Sequence, residues 1–338
     1  MVPKVMIILG SASDISIADK CMDILEKLEI SYSLKIASAH RTPNLVRELV
    51  TQATDAGVEV FIGIAGLAAH LPGVIAGYTQ RPVIGVPVDV KTGGIDALES
   101  SVQMPYPSPV ATVGIDRGDN GAILAAQIIG IYDDEIRQKV KDLRKEYQKK
   151  VVNSNNSEIV QNRNYIINDF LKVDSLEISD DSIDIDHTTI KEDADVAIIV
   201  GRHTDLIAAK KASVILERLK ITHNTKVVCP IRSHSKFKSY VEAVKDSKIF
   251  IGISSNSSQV TGALVGLTDR PVIGVPCTNE HGNDYILTTA NMPPGVPVGT
   301  VGINNGRNAA VLAGEILSIN NPNLTELLRK LKNKKINM

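Results

Sequence analysis

The sequence has no tryptophan, and aromatic residues make up only 4% of its 338 residues. Surfaces that bind single-stranded nucleic acid stack bases on aromatic side chains, so this scarcity argues against such a surface. Lysine and arginine together number 37 against 38 acidic residues, which leaves a net charge of −1. A chain without excess positive charge has no long-range attraction to nucleic acid or to an anionic membrane. We therefore expect neither as a partner.

Cysteines are few, and long apolar runs are missing. Cys21, Cys229 and Cys277 lie far apart, and no Cys-x-x-Cys pair occurs. This spacing excludes a disulfide framework or a zinc knuckle and favours buried thiols. No apolar run reaches the roughly 18 residues of a membrane-spanning helix. Because the N-terminus also lacks a signal-peptide pattern, we expect a cytoplasmic protein.

Motifs for metals and common cofactors are absent as well. No two histidines have the spacing of a metal site with carboxylates nearby, so we predict no metal. The chain has neither a Walker loop nor a Gly-x-Gly-x-x-Gly sequence at its first turn, which argues against nicotinamide and ATP chemistry.

What the sequence does contain is a repeat. The heptapeptide Arg-Pro-Val-Ile-Gly-Val-Pro at 81–87 recurs 189 residues later at 270–276. Matching positions continue on both sides, for example Asp14 with Asp205 and Asn120 with Asn308. A repeat of this length indicates a duplicated domain. We predict a first domain at 1–150, a linker at 151–193 and a second domain at 194–338.

Each copy alternates short apolar runs with helical patterns. This alternation is typical of a parallel sheet covered by helices on both faces. We predict an α/β fold, a flavodoxin-like three-layer αβα sandwich with a parallel sheet, duplicated in tandem. The pattern predicts strands over 5–9 and 32–36, a helix over 95–102, one long helix over 121–149 and a helix over 159–171 in the linker. The alternative, that the linker adds a strand to a domain edge, stays open.

Three loops follow strands of the first copy, at 10–14, 38–43 and 66–73. In an open parallel sheet, ligands bind beyond the carboxyl ends of the strands. The first loop opens a helix, where hydroxyl and N–H groups bind anions, and Asp14 can accept hydrogen bonds from a sugar. The alternative is that Ser13 or Asp14 only caps that helix.

The other two loops carry histidines. His40 stands beside Arg41, which combines a group that exchanges protons near neutral pH with a guanidinium suited to phosphate. His70 lies among small residues near a helix start, where it either contacts a ligand or packs as a structural histidine. In the second copy Arg232 matches Arg41, but both histidine positions have changed. We infer an active first copy and a second copy that is a scaffold or a regulatory unit.

These loops resemble one family. The matching motifs are Gly-Ser-Ala-Ser-Asp at 10–14, Ser-Ala-His-Arg-Thr-Pro at 38–43, Ala-Ala-His-Leu-Pro-Gly at 68–73, Pro-Val-Ile-Gly-Val-Pro-Val at 82–88 and Gln-Met-Pro at 103–105. They are similar to the purine-biosynthesis family of aminoimidazole ribonucleotide carboxylases and N5-carboxyaminoimidazole ribonucleotide mutases. The second copy resembles this family in scaffold residues only.

The resemblance implies a flavodoxin-like fold, no metal or organic cofactor, and a phosphoribosyl aminoimidazole as substrate. It implies an octamer for single-domain members, so a tetramer of tandem chains would imitate that assembly. It further implies that His40 is the general acid and base. The implied substrate-binding residues are those for the ribose phosphate (Ser11, Ser13, Asp14, Ser38, Arg41) and those lining the imidazole pocket (Ala65, Gly66, His70, Leu71).

The function that follows is formation of 4-carboxy-5-aminoimidazole ribonucleotide, by moving the carboxylate of N5-carboxyaminoimidazole ribonucleotide to C4. The loop at 68–73 looks like that of the mutases. The segments 89–94 and 106–108 depart from the family pattern, which leaves open the alternative of direct carboxylation of aminoimidazole ribonucleotide with carbon dioxide. A second alternative is a non-catalytic nucleotide-binding regulatory protein, which loss of His40 would favour.

Overall fold

The computed structural model describes residues 2–155, 191, 193–255, 258–278 and 285–336. Each copy contributes five strands within these ranges. The strands are β1 (Val5–Leu9), β2 (Tyr32–Ile36), β3 (Val60–Gly66), β4 (Val83–Val88), β5 (Ala111–Thr112), β6 (Val196–Val200), β7 (His223–Val227), β8 (Ile249–Ser254), β9 (Val272–Pro276) and β10 (Gly299–Thr300).

The ten strands form one sheet in the order β2-β1-β3-β4-β5-β10-β9-β8-β6-β7. Strands within each copy pair in parallel, with the 2-1-3-4-5 order of a flavodoxin-like fold. The predicted fold class is confirmed. Where the copies meet, Thr112 of β5 pairs with Thr300 of β10 in antiparallel orientation. The two copies are therefore related by an approximate twofold axis through the middle of one sheet.

Helices cover both faces of the sheet. The described helices of four or more residues are α1 (Ile15–Lys27), α2 (Pro43–Ala56), α3 (Leu71–Tyr78), α4 (Ile95–Val102), α5 (Gly118–Ile129), α6 (Asp134–Asn155), α7 (Leu206–Arg218), α8 (His234–Ala243), α9 (Gln259–Leu267), α10 (Tyr285–Ala290), α11 (Gly306–Leu317) and α12 (Pro322–Ile336).

The two faces differ in how the copies share their cores. On the face of α1, α5, α7 and α11, one apolar cluster runs through both copies without interruption. On the other face each copy has its own cluster, which includes Phe61 in the first and Phe250 in the second, and a smaller cluster joins the copies through Leu98, Val102, Ile286 and Ala290. Burial of apolar surface is the main favourable term in folding, so the shared cluster binds the copies into one unit.

One predicted element is wrong: 121–149 does not form a single helix. The chain breaks after α5, and α6 begins anew where Asp133 Oδ1 accepts a hydrogen bond from the Ile136 N–H at 3.2 Å. A Cβ atom on Gly130 would lie 3.1 Å from Arg137 Cα, so the two helices cross closely at the break. The break turns α6 onto the second copy, where Arg137 pairs with Asp269 at 2.6 Å.

The helix α12 makes the reciprocal contact with the first copy. Arg144 of α6 donates hydrogen bonds to the carbonyl oxygens of Val265 and Thr268. At the equivalent position of α12, Lys332 donates to the carbonyl oxygens of Ala76, at 3.1 Å, and Thr79, at 2.7 Å. The last helix of each copy, α6 in the first and α12 in the second, therefore bonds that copy to the other one.

Asn120 and Asn308, which match each other in the repeat, also form hydrogen bonds from one copy to the other. Asn120 Nδ2 donates to the carbonyl oxygen of Pro293 at 3.0 Å, and Asn308 Nδ2 donates to that of Met104 at 2.9 Å. The Gly295 N–H completes the first contact by donating to Asn120 Oδ1 at 3.0 Å. The residue equivalent to Gly295 is Pro107, which has no N–H to donate. The buried Asn308 Oδ1 accordingly has no hydrogen-bond partner within the described residues.

The predicted helix over 159–171 and the alternative of an added strand both lie outside the described residues. The first five residues of the predicted linker, 151–155, belong to α6. Within the part of the chain that the structure describes, no helix combines the length and the apolar character needed to cross a membrane.

Candidate active site

The loop after β1 places a carboxylate at the carboxyl edge of the sheet. Ser11 Oγ accepts a hydrogen bond from the Ser13 N–H at 3.4 Å, which holds a short 3-10 turn ahead of α1. Ser13 Oγ donates to Asp14 Oδ1 at 2.9 Å, and the Asp14 side chain makes no capping hydrogen bond to the helix. Burial raises the pKa of Asp14; the hydrogen bond from Ser13 opposes this shift and the nearby Asp116 adds to it.

The loop after β2 is held by its own side chains. Thr42 Oγ1 accepts from the Ser38 N–H at 2.9 Å, and Ser38 Oγ accepts from the Arg41 N–H at 3.2 Å. These bonds fix the backbone that carries His40. Arg41 Nη2 donates to the carbonyl oxygen of Gly10 at 3.1 Å, which joins this loop to the loop after β1.

The loop after β3 brings the second histidine to the first. His70 precedes α3, and its ring makes no capping hydrogen bond. Instead His70 Nδ1 lies 3.0 Å from His40 Nε2, with the two rings edge to face at a centroid distance of 5.2 Å. The His70 side chain is exposed at the site rather than packed in the core. The two imidazoles therefore form a pair across two loops that are 30 residues apart in the sequence.

The three loops line an open cavity of about 500 Å³. All ten residues that the sequence analysis assigned to the site line it: Ser11, Ser13, Asp14, Ser38, His40, Arg41, Ala65, Gly66, His70 and Leu71. The lining combines the Arg41 guanidinium and serine hydroxyl groups with the apolar side chains of Ala65 and Leu71. This combination suits a ligand that has both a phosphate and a planar ring.

Sequence reasoning missed Val90, which forms part of the cavity wall from the loop after β4. A Cβ atom on Gly66 would lie 2.4 Å from Val90 Cγ2, so the two residues are in direct contact. The sequence feature that could have identified Val90 is its place as an apolar residue in a loop that follows a buried strand, at the carboxyl edge of the sheet. In the sequence, segment 89–94 stands out only as a departure from the family pattern.

The second copy has a smaller cavity at the equivalent place, with a volume of about 130 Å³. Ile231 stands where the first copy has His40, and Gln259 stands where it has His70. The carboxylate equivalent to Asp14 is also occupied, because Asp205 Oδ2 accepts from the N–H of Ser255 at 3.0 Å and from its hydroxyl at 3.1 Å. This cavity therefore has no histidine pair, and its carboxylate already accepts two hydrogen bonds from Ser255.

Across the described parts of both copies, no three His, Cys, Asp or Glu side chains come close enough together to hold a metal ion. The cavity of the first copy instead provides a proton-exchanging imidazole pair, a guanidinium and hydroxyl groups. These groups can bind an anionic ligand and move a proton on it.

Comparison with known proteins gives a match to the family model for AIR carboxylase over residues 4–150 and 195–337. A relative named probable N5-carboxyaminoimidazole ribonucleotide mutase, from Methanobrevibacter smithii, is 70% identical and matches over all of both chains. An N5-carboxyaminoimidazole ribonucleotide mutase from Methanocaldococcus jannaschii is 54% identical over 44% of this chain and 92% of its own length. A crystal structure of Treponema denticola PurE is 30% identical, covers 45% of this chain and 96% of its own, and has a TM-score of 0.41.

Proposed function

Because the chain belongs to the AIR carboxylase family, we propose that it forms 4-carboxy-5-aminoimidazole ribonucleotide in purine biosynthesis, acting as an N5-carboxyaminoimidazole ribonucleotide mutase. The observation that carries this proposal is the pair of His40 and His70, 3.0 Å apart, in one cavity with Arg41. Two full-length relatives and several single-domain relatives are named for the same mutase activity.

Substrate binding is assigned to the loops at 10–14 and 38–43, the second of which carries Arg41. Arg41 and the hydroxyl groups of Ser11, Ser13 and Ser38 bind the phosphate, and Asp14 accepts hydrogen bonds from the ribose. Arg41 already donates to the Gly10 carbonyl, so its planar guanidinium is oriented before the ligand arrives. Binding energy from the phosphate then positions the reacting ring.

Proton transfer is assigned to His40. In the mutase reaction the bond between the exocyclic nitrogen and its carboxylate breaks, and the nitrogen gains a proton. C4 then attacks the released carbon dioxide, and the proton on C4 must leave. A single imidazole can deliver the first proton and accept the second, and His70 holds the His40 ring in place for both steps.

Retention of carbon dioxide is assigned to the small residues of the cavity. Ala65, Gly66 and Leu71 lie along the wall on which the imidazole ring packs, and Val90 closes the wall from the neighbouring loop. Small side chains let the ring approach the backbone closely, which leaves little room for the gas to diffuse away.

The chain is divided into a first domain at 1–150, a linker at 151–193 and a second domain at 194–338. The second domain is assigned a non-catalytic role. Support comes from Ile231 and Gln259 at the histidine positions and from Asp205, which is engaged by Ser255. A cavity of about 130 Å³ is also roughly a quarter of the volume available in the first copy. The first copy therefore holds the chemistry of the chain.

The assembly is assigned as a tetramer of tandem chains that imitates an octamer of single domains. Support comes from apolar side chains that stay exposed on the first copy, among them Ile36 at 52% and Tyr78 at 44%. Burial of these side chains between subunits would stabilise such an assembly. Light scattering should give the mass of four chains, and the mass of a single chain would contradict the assignment.

Neither a metal nor an organic cofactor is part of the proposal, since the reaction needs only proton transfer and positioning. A cytoplasmic location is included, and it is supported by three buried cysteines that stay as thiols.

The test is a product assay on the purified protein with two substrates in parallel. One reaction contains N5-carboxyaminoimidazole ribonucleotide, and the other contains aminoimidazole ribonucleotide with bicarbonate near its physiological concentration. We expect fast turnover of the first substrate only. Efficient turnover of the second would show a direct carboxylase, and turnover of neither, with nucleotide still bound, would show a binding protein.

A further inference from the structure

The wall formed by Val90 depends on a residue outside the loop that carries it. Asp116, in the loop between β5 and α5, accepts a hydrogen bond through Oδ1 from the Asp89 N–H at 3.0 Å. Asp89 directly precedes Val90, so this bond sets where the Val90 backbone leaves β4. Asp116 has a left-handed backbone with φ of 58°, and Lys20 Nζ donates to its carbonyl oxygen at 3.3 Å.

The loop that carries Asp116 is in turn held by the second copy. Asn291, just after α10, accepts a hydrogen bond through Oδ1 from the Ile115 N–H at 3.3 Å. Gly114 packs against the same segment, since a Cβ atom there would lie 3.0 Å from Asn291 Oδ1 and 3.1 Å from the Ala290 carbonyl oxygen. A short series of contacts therefore leads from the second copy, through 114–116, to the wall of the first cavity.

The equivalent residues in the second copy provide a comparison. Asn304 stands at the position of Asp116, with φ of 55°, and its Oδ1 accepts from the Thr278 N–H at 3.3 Å. Thr278 occupies the position of Asp89. The same hydrogen bond, from a backbone N–H to the side chain of a residue with positive φ, is thus present in both copies. Only in the first copy is it next to a cavity with a histidine pair.

We propose that Asn291 of the second copy is a positioning residue for the active site of the first copy, acting through Ile115, Asp116 and Asp89 on the placement of Val90. This inference rests on the proposed mutase function. It gives the second copy a definite role, because the second copy then fixes the loop that sets the cavity wall beside Gly66. Asn291 touches no reacting atom, so its effect falls on substrate binding rather than on proton transfer.

The experiment measures KM and kcat for N5-carboxyaminoimidazole ribonucleotide with the full-length chain. For Asn291→Ala we expect KM to rise by about three- to tenfold, the effect of one lost hydrogen bond, with kcat within about twofold of wild type. Asn291→Asp keeps an oxygen acceptor at the same position and should restore the wild-type KM. A variant that only unfolds more easily would lose kcat per mole of protein without a change in KM.

The Asp116 link is tested with matched glycine variants. Asp116→Gly and Asn304→Gly each remove a side chain from a left-handed position, where glycine adds no backbone strain. We expect a raised KM for Asp116→Gly and an unchanged KM for Asn304→Gly. Because Asn291 and Asp116 act in series, the Asn291→Ala/Asp116→Gly double variant should raise KM by no more than the larger single effect.

Two results would overturn this proposal while the proposed function stands. One is an Asn291→Ala protein with wild-type KM, and the other is independent, multiplying effects of Asn291→Ala and Asp116→Gly. An inactive wild type would overturn the proposed function and this inference with it, whereas an active wild type with an unaffected Asn291→Ala variant would count against Asn291 alone.

Discussion

His40 Nε2 lies 3.0 Å from His70 Nδ1, within hydrogen-bond distance, although the two residues belong to different loops of the first copy. One ring nitrogen of each histidine is engaged in this contact. Because a neutral imidazole donates from one nitrogen and accepts at the other, the contact couples the tautomer of one ring to that of the other. The pair is therefore suited to holding a proton-exchanging group in a fixed orientation.

His40→Asn should abolish turnover while nucleotide affinity stays within about tenfold of wild type. Asparagine fills a similar space but exchanges no proton near neutral pH, so we expect kcat to fall by about a hundredfold or more. Initial rates and equilibrium binding of the nucleotide check the two parts separately. The control is His203→Asn, a histidine-to-asparagine change outside the first cavity, which should have no effect. Turnover like that of wild type in His40→Asn would remove His40 from the mechanism.

His70→Ala should lower kcat by about tenfold to a hundredfold, because the His40 ring loses the partner that orients it. His70→Asn places an amide group near the position of Nδ1, so it should retain more activity than the alanine variant. Steady-state rates on the two variants give the comparison. Equal losses in both would show that His70 acts by filling space and not through its contact with His40.

Gly66→Ala should raise KM severalfold, because the new Cβ would lie 2.4 Å from Val90 Cγ2 and 3.1 Å from the Val88 carbonyl oxygen. The wall must then move, and the imidazole of the substrate loses its close approach to the backbone. Gly77→Ala in α3 is the matched control, since nothing lies within 4 Å of a Cβ there. Substrate titrations of both variants test the expectation, which fails if their KM values are the same.

Restoring histidines to the second copy should not restore activity. Gln259→His alone leaves Ile231 without a proton carrier. Even with Ile231→His added, Asp205 stays hydrogen-bonded to Ser255. We expect a chain that carries both changes, with the first site disabled by His40→Asn, to stay at background turnover. Measurable product from that variant would show that the second cavity still admits the substrate.

Glu315→Gln should make stability less dependent on pH. Burial raises the pKa of Glu315 to about 7 from its ordinary value of 4.5, although Lys332 Nζ lies 2.6 Å from the carboxylate. The folded chain thus binds the proton on Glu315 more tightly than the unfolded chain does. This tighter binding stabilises the fold fully below about pH 4.5, and the stabilisation is lost as pH rises through about 7. The variant should lack this decline.

Denaturant unfolding at several pH values between about 4.5 and 7 measures that slope. An amide is compatible with the site, because the equivalent residue of the first copy is Gln127, which is also buried. Glu326→Gln removes an exposed carboxylate from α12 and serves as the control. A slope in Glu315→Gln as steep as in the wild type would contradict the assignment of the decline to Glu315.

Much of the fold follows from local pattern. Apolar runs of strand length and helical periodicity depend on neighbouring residues, so the strands at 5–9 and 32–36 and the helix at 95–102 were predicted with their observed bounds. The break between α5 and α6 was missed because both helices have a helical pattern, although Gly130 at the end of α5 and Asp133 at the start of α6 are local signals for it. The close approach of Gly130 to Arg137 is seen only in the tertiary structure.

The sequence by itself determined that the protein is a duplication, that each copy is a parallel α/β sandwich, and which residues of the first copy are candidates for the site. Those conclusions rest on repeats and on residue types within short segments. Only the tertiary structure decided that the copies share one sheet, that His40 meets His70, that Ser255 engages Asp205, and that Asn291 reaches the loop of Asp116. The last of these joins residues 176 positions apart, and no local pattern encodes the packing that brings such residues together.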